Sequence, residues 1–203
     1  MTIIAGILDL DGGAWVACDS QATLIGEQKQ LFGEPKWRSA GGIHVLLCGN
    51  AAAAPTITAS LTDHVRDGLG DEPFSVSAFV EDVRHRLAQQ GWEPYSVEGG
   101  APFLDLSMIV TDGLRLFGVN ANGFVQEANA EELVLFGSGR ESGRGADYAL
   151  TSIHVGDVKA HKISARARAM AAVGAACRID LHCMEPIQAK HVPAAQCRIR
   201  EVC

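Results

Sequence analysis

Three turn dipeptides, Asp11-Gly12, Asp112-Gly113 and Asn122-Gly123, each stand between short apolar runs. Asn-Gly and Asp-Gly supply the positive φ that two-residue hairpin turns demand, so they join neighbouring strands antiparallel. Parallel strands need a crossover of a dozen or more residues, which these spacings exclude. The first dipeptide links Thr2–Leu8 to Ala14–Cys18. The other two chain Leu106–Thr111, Leu114–Val119 and Phe124–Glu127 into a meander. Two further runs, Ile43–Leu47 closed by Gly49 and "LVLFGSG" from Leu133, also have strand character.

Between these blocks lie helical patterns. "AAAAPTITASLTDHVRDGLG" begins at Ala51, with Pro55 near its first turn, where a missing N–H costs little. "SVSAFVEDVRHRLAQQG" follows, with Ser75 as N-cap, Phe79, Val83 and Leu87 at helical spacing, and Gly91 as its stop. "ADYALTSIH" and the small-residue-rich "SARARAMAAVGAACRID" give two more, and Arg140–Gly145 reads as the loop before them. Strands, two helices, strands, two helices is the order of an α+β chain. Two stacked antiparallel sheets, each covered by a pair of helices, accommodate every element. With 203 residues and no repeat or linker, the expectation is one domain over 1–203.

A net charge of −7 argues against a nucleic-acid partner, since phosphate binding needs a basic surface. No apolar stretch reaches the roughly 20 residues that span a bilayer, and the N-terminus lacks a basic leader with an apolar core. A cytoplasmic protein without membrane association is expected. Cys18, Cys48, Cys177, Cys183, Cys197 and Cys203 are irregularly spaced and form no C-x-x-C pair, as reduced thiols would. Neither a metal site nor a cofactor is expected.

Few residues offer chemistry. Thr2 sits behind the initiator methionine. Read alone it is a β-branched strand residue. With Met1 removed, it would carry a hydroxyl and an α-amine of pKa ~7.7–8.0 side by side, a nucleophile with its own base. Asp19 ends the second strand of the first hairpin, where its carboxylate can approach the start of the first strand or merely cap "SQAT". Lys36, with Lys29 as competitor, could pair with Asp19 and lower the pKa of a nearby hydroxyl. Gly49 lies at a strand-to-helix corner, where backbone N–H groups can face a developing oxyanion or simply make a tight turn. The glycine-rich "FGSGRESGRG" lacks the Gly-Lys-Ser/Thr of a phosphate loop, and its Ser138 could instead bond an N-terminal amine. In "RIDLHCMEP", Asp180 could orient Ser138. His182 and Cys183 could form a Cys/His pair, but no helix N-terminus is placed to activate the thiol.

Taken in order, "TIIAGI", "VACDSQAT", "KWR", "LLCGNAA", "LFGSG" and "IDLHC" resemble the proteasome β-subunit family of N-terminal-nucleophile hydrolases. "DSQATL" is similar to the peptidase subunit of the bacterial two-component ATP-dependent protease, and "DLHC" to the Asp-x-x-Ser of true proteasomes. The mixture suggests a bacterial proteasome homologue outside those two groups. The resemblance implies a four-layer αββα sandwich. It also implies paired rings of six or seven copies that hydrolyse peptide or unfolded-protein substrate inside a chamber, with an ATP-dependent unfoldase as partner. Thr2 would be nucleophile and, through its amine, base. Asp19 and Lys36 would tune it, Ser138 and Asp180 support the amine, and Gly49 supply the oxyanion N–H. Thr23 and Ala51 would bind an extended peptide backbone. The chain departs from the pattern at Cys183, where proteasomes have serine, and at Arg140–Gly145, longer than the usual entry to the next helix. Retention of Met1 would leave no amine at Thr2. A non-catalytic scaffold subunit with the same fold is the alternative, and an amidase of small substrates a third.

Overall fold

The computed structural model describes residues 3–23, 29–31, 36–67, 74–92, 106–152, 163–180, 183, 185–194 and 199; for 21–23, 29–31, 67 and 152 it describes the backbone alone. Strands β1 (Ile3–Leu8), β2 (Ala14–Cys18), β3 (Gln21–Thr23), β4 (Lys29–Leu31), β5 (Trp37–Ala40) and β6 (Ile43–Gly49) come first. A 3₁₀ turn (Ala51–Ala53) leads into helices α1 (Ala54–Asp67) and α2 (Val76–Gln89). Then come β7 (Leu106–Thr111), β8 (Leu116–Val119), β9 (Val125–Glu127), β10 (Val134–Gly137), α3 (Arg140–Ser152), α4 (Ala165–Ile179) and β11 (Gln188–Val192).

The strands form a four-stranded sheet ordered β10-β1-β2-β11, a five-stranded sheet ordered β5-β6-β7-β8-β9, and the separate β3-β4 ribbon. Every named pairing is antiparallel, as the turn dipeptides require. Side chains alternate between faces along each strand, so each sheet has two apolar faces to cover. Ile3, Ala5 and Ile7 of β1 pack with Ala169, Ala172, Val173 and Ala176 of α4. Ile4, on the other face, joins Val16 and Cys18 against Leu46, Ile109 and Leu116 of the second sheet. The outer face of that sheet, with Val45, Met108, Val110 and Phe117, takes Ile57 and Leu61 of α1 and Phe79, Val83 and Leu87 of α2. The result is a four-layer αββα sandwich. Among the described residues no helix is long and apolar enough to cross a membrane.

The helix ends follow local rules. Ser75 accepts from Ala78 N at 3.2 Å and Ser164 from Ala167 N at 3.2 Å, each an N-cap. One expectation fails: Arg140–Gly145 is the first half of α3, not a loop. Gly143 permits close packing. A Cβ on Gly143 would lie 3.1 Å from the Ala172 carbonyl oxygen and 3.2 Å from Leu135 Cδ1, so α3 meets α4 nearly backbone to backbone. Strands β3, β4, β5 and β11 were not anticipated. Three of them have three or four residues, and β11, "QAKHV", mixes polar side chains into both of its faces. The meander strands begin at Leu116 and Val125 rather than Leu114 and Phe124.

Candidate active site

The β1–β2 ladder ends with Ile4 opposite Cys18, which brings Asp19, the residue after β2, beside Ile3. Asp19 has no exposed surface. Its amide donates to the Ile3 carbonyl at 3.3 Å, and its Oδ1 accepts from the Ile3 N–H at 2.9 Å. The same Oδ1 receives the Lys36 ammonium at 2.7 Å. Asp19 therefore does more than cap the turn that follows it. Thr2 precedes Ile3 in the chain and, with Met1, lies outside the described residues.

Lys36 belongs to the other sheet. Its carbonyl accepts from Leu47 N at 2.9 Å, one step beyond the Trp37–Leu46 pair of β5 and β6. Its side chain, only 10% exposed, crosses the sandwich to Asp19. One lysine thus ties the ends of the two sheets together. Lys29, the competitor, lies in β4, where its side chain is not described.

Gly49 ends β6 with φ of 119°, a conformation that glycine alone adopts without strain. N–H groups alternate in direction along an antiparallel strand. Since the Leu47 N–H points at Lys36, the Gly49 N–H, two residues on, points to that side too. Asn50 follows, with its side-chain oxygen accepting from Ala52 N at 3.0 Å. Ala51 is exposed at the start of the 3₁₀ turn, and Thr23 ends β3, opposite Lys29.

A third group completes the corner. The β1–β10 ladder pairs Ile3 with Gly137, and Ser138 follows, exposed. The Ser138 hydroxyl hydrogen-bonds the sulfur of Cys183, which is buried. Asp180 caps α4 through its N–H to the Ala176 carbonyl at 2.8 Å, and its own carbonyl accepts from Cys183 N at 3.1 Å. Burial pushes the Cys183 thiol up to about 11, with Asp19 and Asp180 adding to the shift and Lys36 opposing it. Cys183 is therefore a neutral packing group rather than an activated nucleophile. His182, its suggested partner, lies outside the described residues. Cys18 is likewise raised by burial to about 11, and Cys177 to about 12. The groups acting on Cys183 place it in one neighbourhood with Asp19, Lys36, Ser138 and Asp180.

Sequence reasoning missed two members of this end of the sandwich. Ser20 is buried and its hydroxyl donates to the Pro186 carbonyl, fastening the segment after Cys183 to the residue beside Asp19. Asn50 fixes the turn after Gly49. Both stood next to residues already singled out, and an Asn before a short-residue helix start is itself a cap signal. Among the described residues no group of three or more His, Cys, Asp or Glu could hold a metal ion.

No family model matches the sequence, and no curated protein matches it. Solved structures do match. BPH from Thiobacillus denitrificans aligns with a TM-score of 0.70 at 22% identity, covering 96% of this chain and 100% of its own. Eukaryotic HslV from Trypanosoma brucei aligns with a TM-score of 0.70 at 18% identity, covering 95% and 99%. Anbu, an ancestral beta-subunit from Yersinia bercovieri, gives a TM-score of 0.65 at 16% identity, covering 95% and 82%. Over nearly its whole length, the chain shares the fold of these three structures.

Proposed function

We propose that this chain is a threonine-type peptidase subunit of a self-compartmentalised homo-oligomeric ring in the cytoplasm, with Thr2 as nucleophile once Met1 is removed. The observation that carries the reading is the fully buried Asp19, which binds both the Ile3 N–H and the Lys36 ammonium. A carboxylate–ammonium pair one residue from Thr2 suits the tuning of a hydroxyl there. Supporting it are the fold shared with HslV and with Anbu, and the structure of Thiobacillus BPH in a complex with epoxomicin (TM-score 0.68, 22% identity).

In this mechanism the free α-amine of Thr2 takes the proton of its own hydroxyl as Oγ attacks the scissile carbonyl. The tetrahedral oxyanion is met by the Gly49 N–H. The protonated amine then passes its proton to the leaving amine of the product, and an ester to Thr2 remains. Water, deprotonated by the same amine, releases the second product and restores the threonine. Lys36 lowers the hydroxyl's pKa, Asp19 holds Lys36, and Ser138 with Asp180 steadies the amine. Thr23 and Ala51 align the peptide backbone as an added strand. Peptides or unfolded proteins are the substrates, delivered by an ATP-dependent unfoldase. Because the base is an amine of pKa ~7.7–8.0, activity rises with pH up to that range.

Intact mass tests the reading. The expected result is a chain lacking Met1 that gains the mass of one epoxomicin, an adduct lost in Thr2→Ala. A chain that keeps Met1 and takes no adduct overturns it and leaves the scaffold subunit as the reading.

A further inference from the structure

The corner after β6 is built by Asn50 in three ways. Gly49 breaks the strand with φ of 119°, and Asn50 itself returns to an extended conformation, φ −72° and ψ 113°. The Asn50 side-chain oxygen accepts from Ala52 N at 3.0 Å, and its carbonyl from Ala53 N at 3.2 Å. The 3₁₀ turn has only three residues, and these two bonds close it together with the Ala54 N–H to the Ala51 carbonyl. The turn is exposed at Asn50, Ala51 and Ala52, and its first buried residue is Ala53. Gly49 is held by its pairing with Leu106 and Ala53 by the core, and between them the exposed residues 50–52 are held by the side-chain cap.

We propose that Asn50 is a positioning residue: by holding the Ala52 N–H it fixes the corner that aims the Gly49 N–H at the substrate carbonyl. This inference rests on the peptidase reading and goes beyond it, because it assigns a residue that does not itself touch the reacting atoms. It also says which replacements the corner accepts. A cap needs a short side-chain acceptor, which Ser, Asp and Asn all supply. An oxyanion held by the Gly49 N–H, next to residue 50, is opposed by an added negative charge there. Asp at position 50 thus keeps the cap and opposes the chemistry, while Ser keeps the cap without a charge.

The test compares Asn50→Ala, Asn50→Ser and Asn50→Asp with the wild-type ring on a fluorogenic tripeptide amide, alongside hydrogen exchange of the fragment spanning residues 47–57. Asn50→Ala is expected to exchange faster in that fragment and to lose about five- to tenfold in kcat, with KM within twofold. Asn50→Ser is expected to recover most of both. Asn50→Asp is expected to keep the wild-type exchange and melting temperature while losing tenfold or more in kcat. Equal kcat in Asn50→Ala and wild type, or equal kcat in Asn50→Asp and Asn50→Ser, overturns the proposal. Unchanged exchange in Asn50→Ala overturns it whether or not the protein is active. A wild type that cleaves nothing and takes no epoxomicin, while Asn50→Ala still exchanges faster, sinks the peptidase reading and with it the oxyanion role. The effect on the corner would still stand.

Discussion

A carboxylate without exposed surface has to be matched by donors, and Asp19 has Ile3 N–H and Lys36. Asp19→Ala would take the carboxylate from an ammonium that is nine-tenths covered, and breaking a buried pair from one side costs about 3–5 kcal/mol. Chemical denaturation of Asp19→Ala against wild type reads that loss directly; a loss below about 1 kcal/mol would mean that Lys36 finds solvent instead. The buried thiols make a second prediction. Cys18 and Cys183 are held near 11 and Cys177 near 12, against 9.0 for a free thiol, chiefly by burial. The unfolded chain therefore loses these protons first, and folding stability should fall as pH rises from about 9 toward 11. The Cys18→Ala, Cys177→Ala, Cys183→Ala triple variant should show a flatter alkaline limb in melting temperature. His44 works at the other extreme. Burial and the nearby Lys190 lower it from 6.5 to about 4, so it contributes to an acid loss of stability between those values that His44→Gln should reduce. Asp19 could be picked out in the sequence because it ends a strand next to an Asp-Gly hairpin. Lys36 could be named as its partner only alongside Lys29, because which lysine reaches across depends on how far apart two sheets lie, a distance no local pattern encodes.

Glycine decides the helical layer. A Cβ on Gly139 would meet the Ala176 Cβ at 2.4 Å and the Cys183 sulfur at 3.4 Å. Gly139→Ala is therefore expected to push α4 away from the turn that bears Ser138, destabilising the fold by about 1–3 kcal/mol as overpacking does. Thermal melting measures the cost, and unchanged melting would show that α4 yields freely. The same feature explains why α3 was misread. A run such as "RESGRG" looks like loop by propensity, since glycine weakens a helix by about 1 kcal/mol per residue. Here tertiary packing overrides propensity, because a larger residue at Gly143 would force the two helices apart. Helix α2 was readable from Ser75, where cap and apolar period agree. Short edge strands were not, because three residues carry too little alternation to be told from turns.

At the scale of the whole molecule, the layer pattern survives where sequence identity does not. Structures at 16–22% identity superpose over nearly the whole chain, while no family model or curated protein matches the sequence. What persists is the alternation of faces in two sheets and the paired helices on each side, which many residue sets satisfy. The proposed ring belongs to this scale. Light scattering should give a mass of six or seven copies or a multiple of them, and a monomer at micromolar concentration would rule the compartment out. The link made by Lys36 has a mechanical corollary. Its backbone rides with one sheet and its ammonium is fastened in the other, so it works as a gauge of their alignment. A slip of an ångström between the layers, too small to expose the core, would already pull the ammonium off its carboxylate. The proposed catalysis should therefore fade in urea before the emission of Trp15, Trp37 and Trp92 reports unfolding. If the two decline together, the layers separate in a single step and never slide.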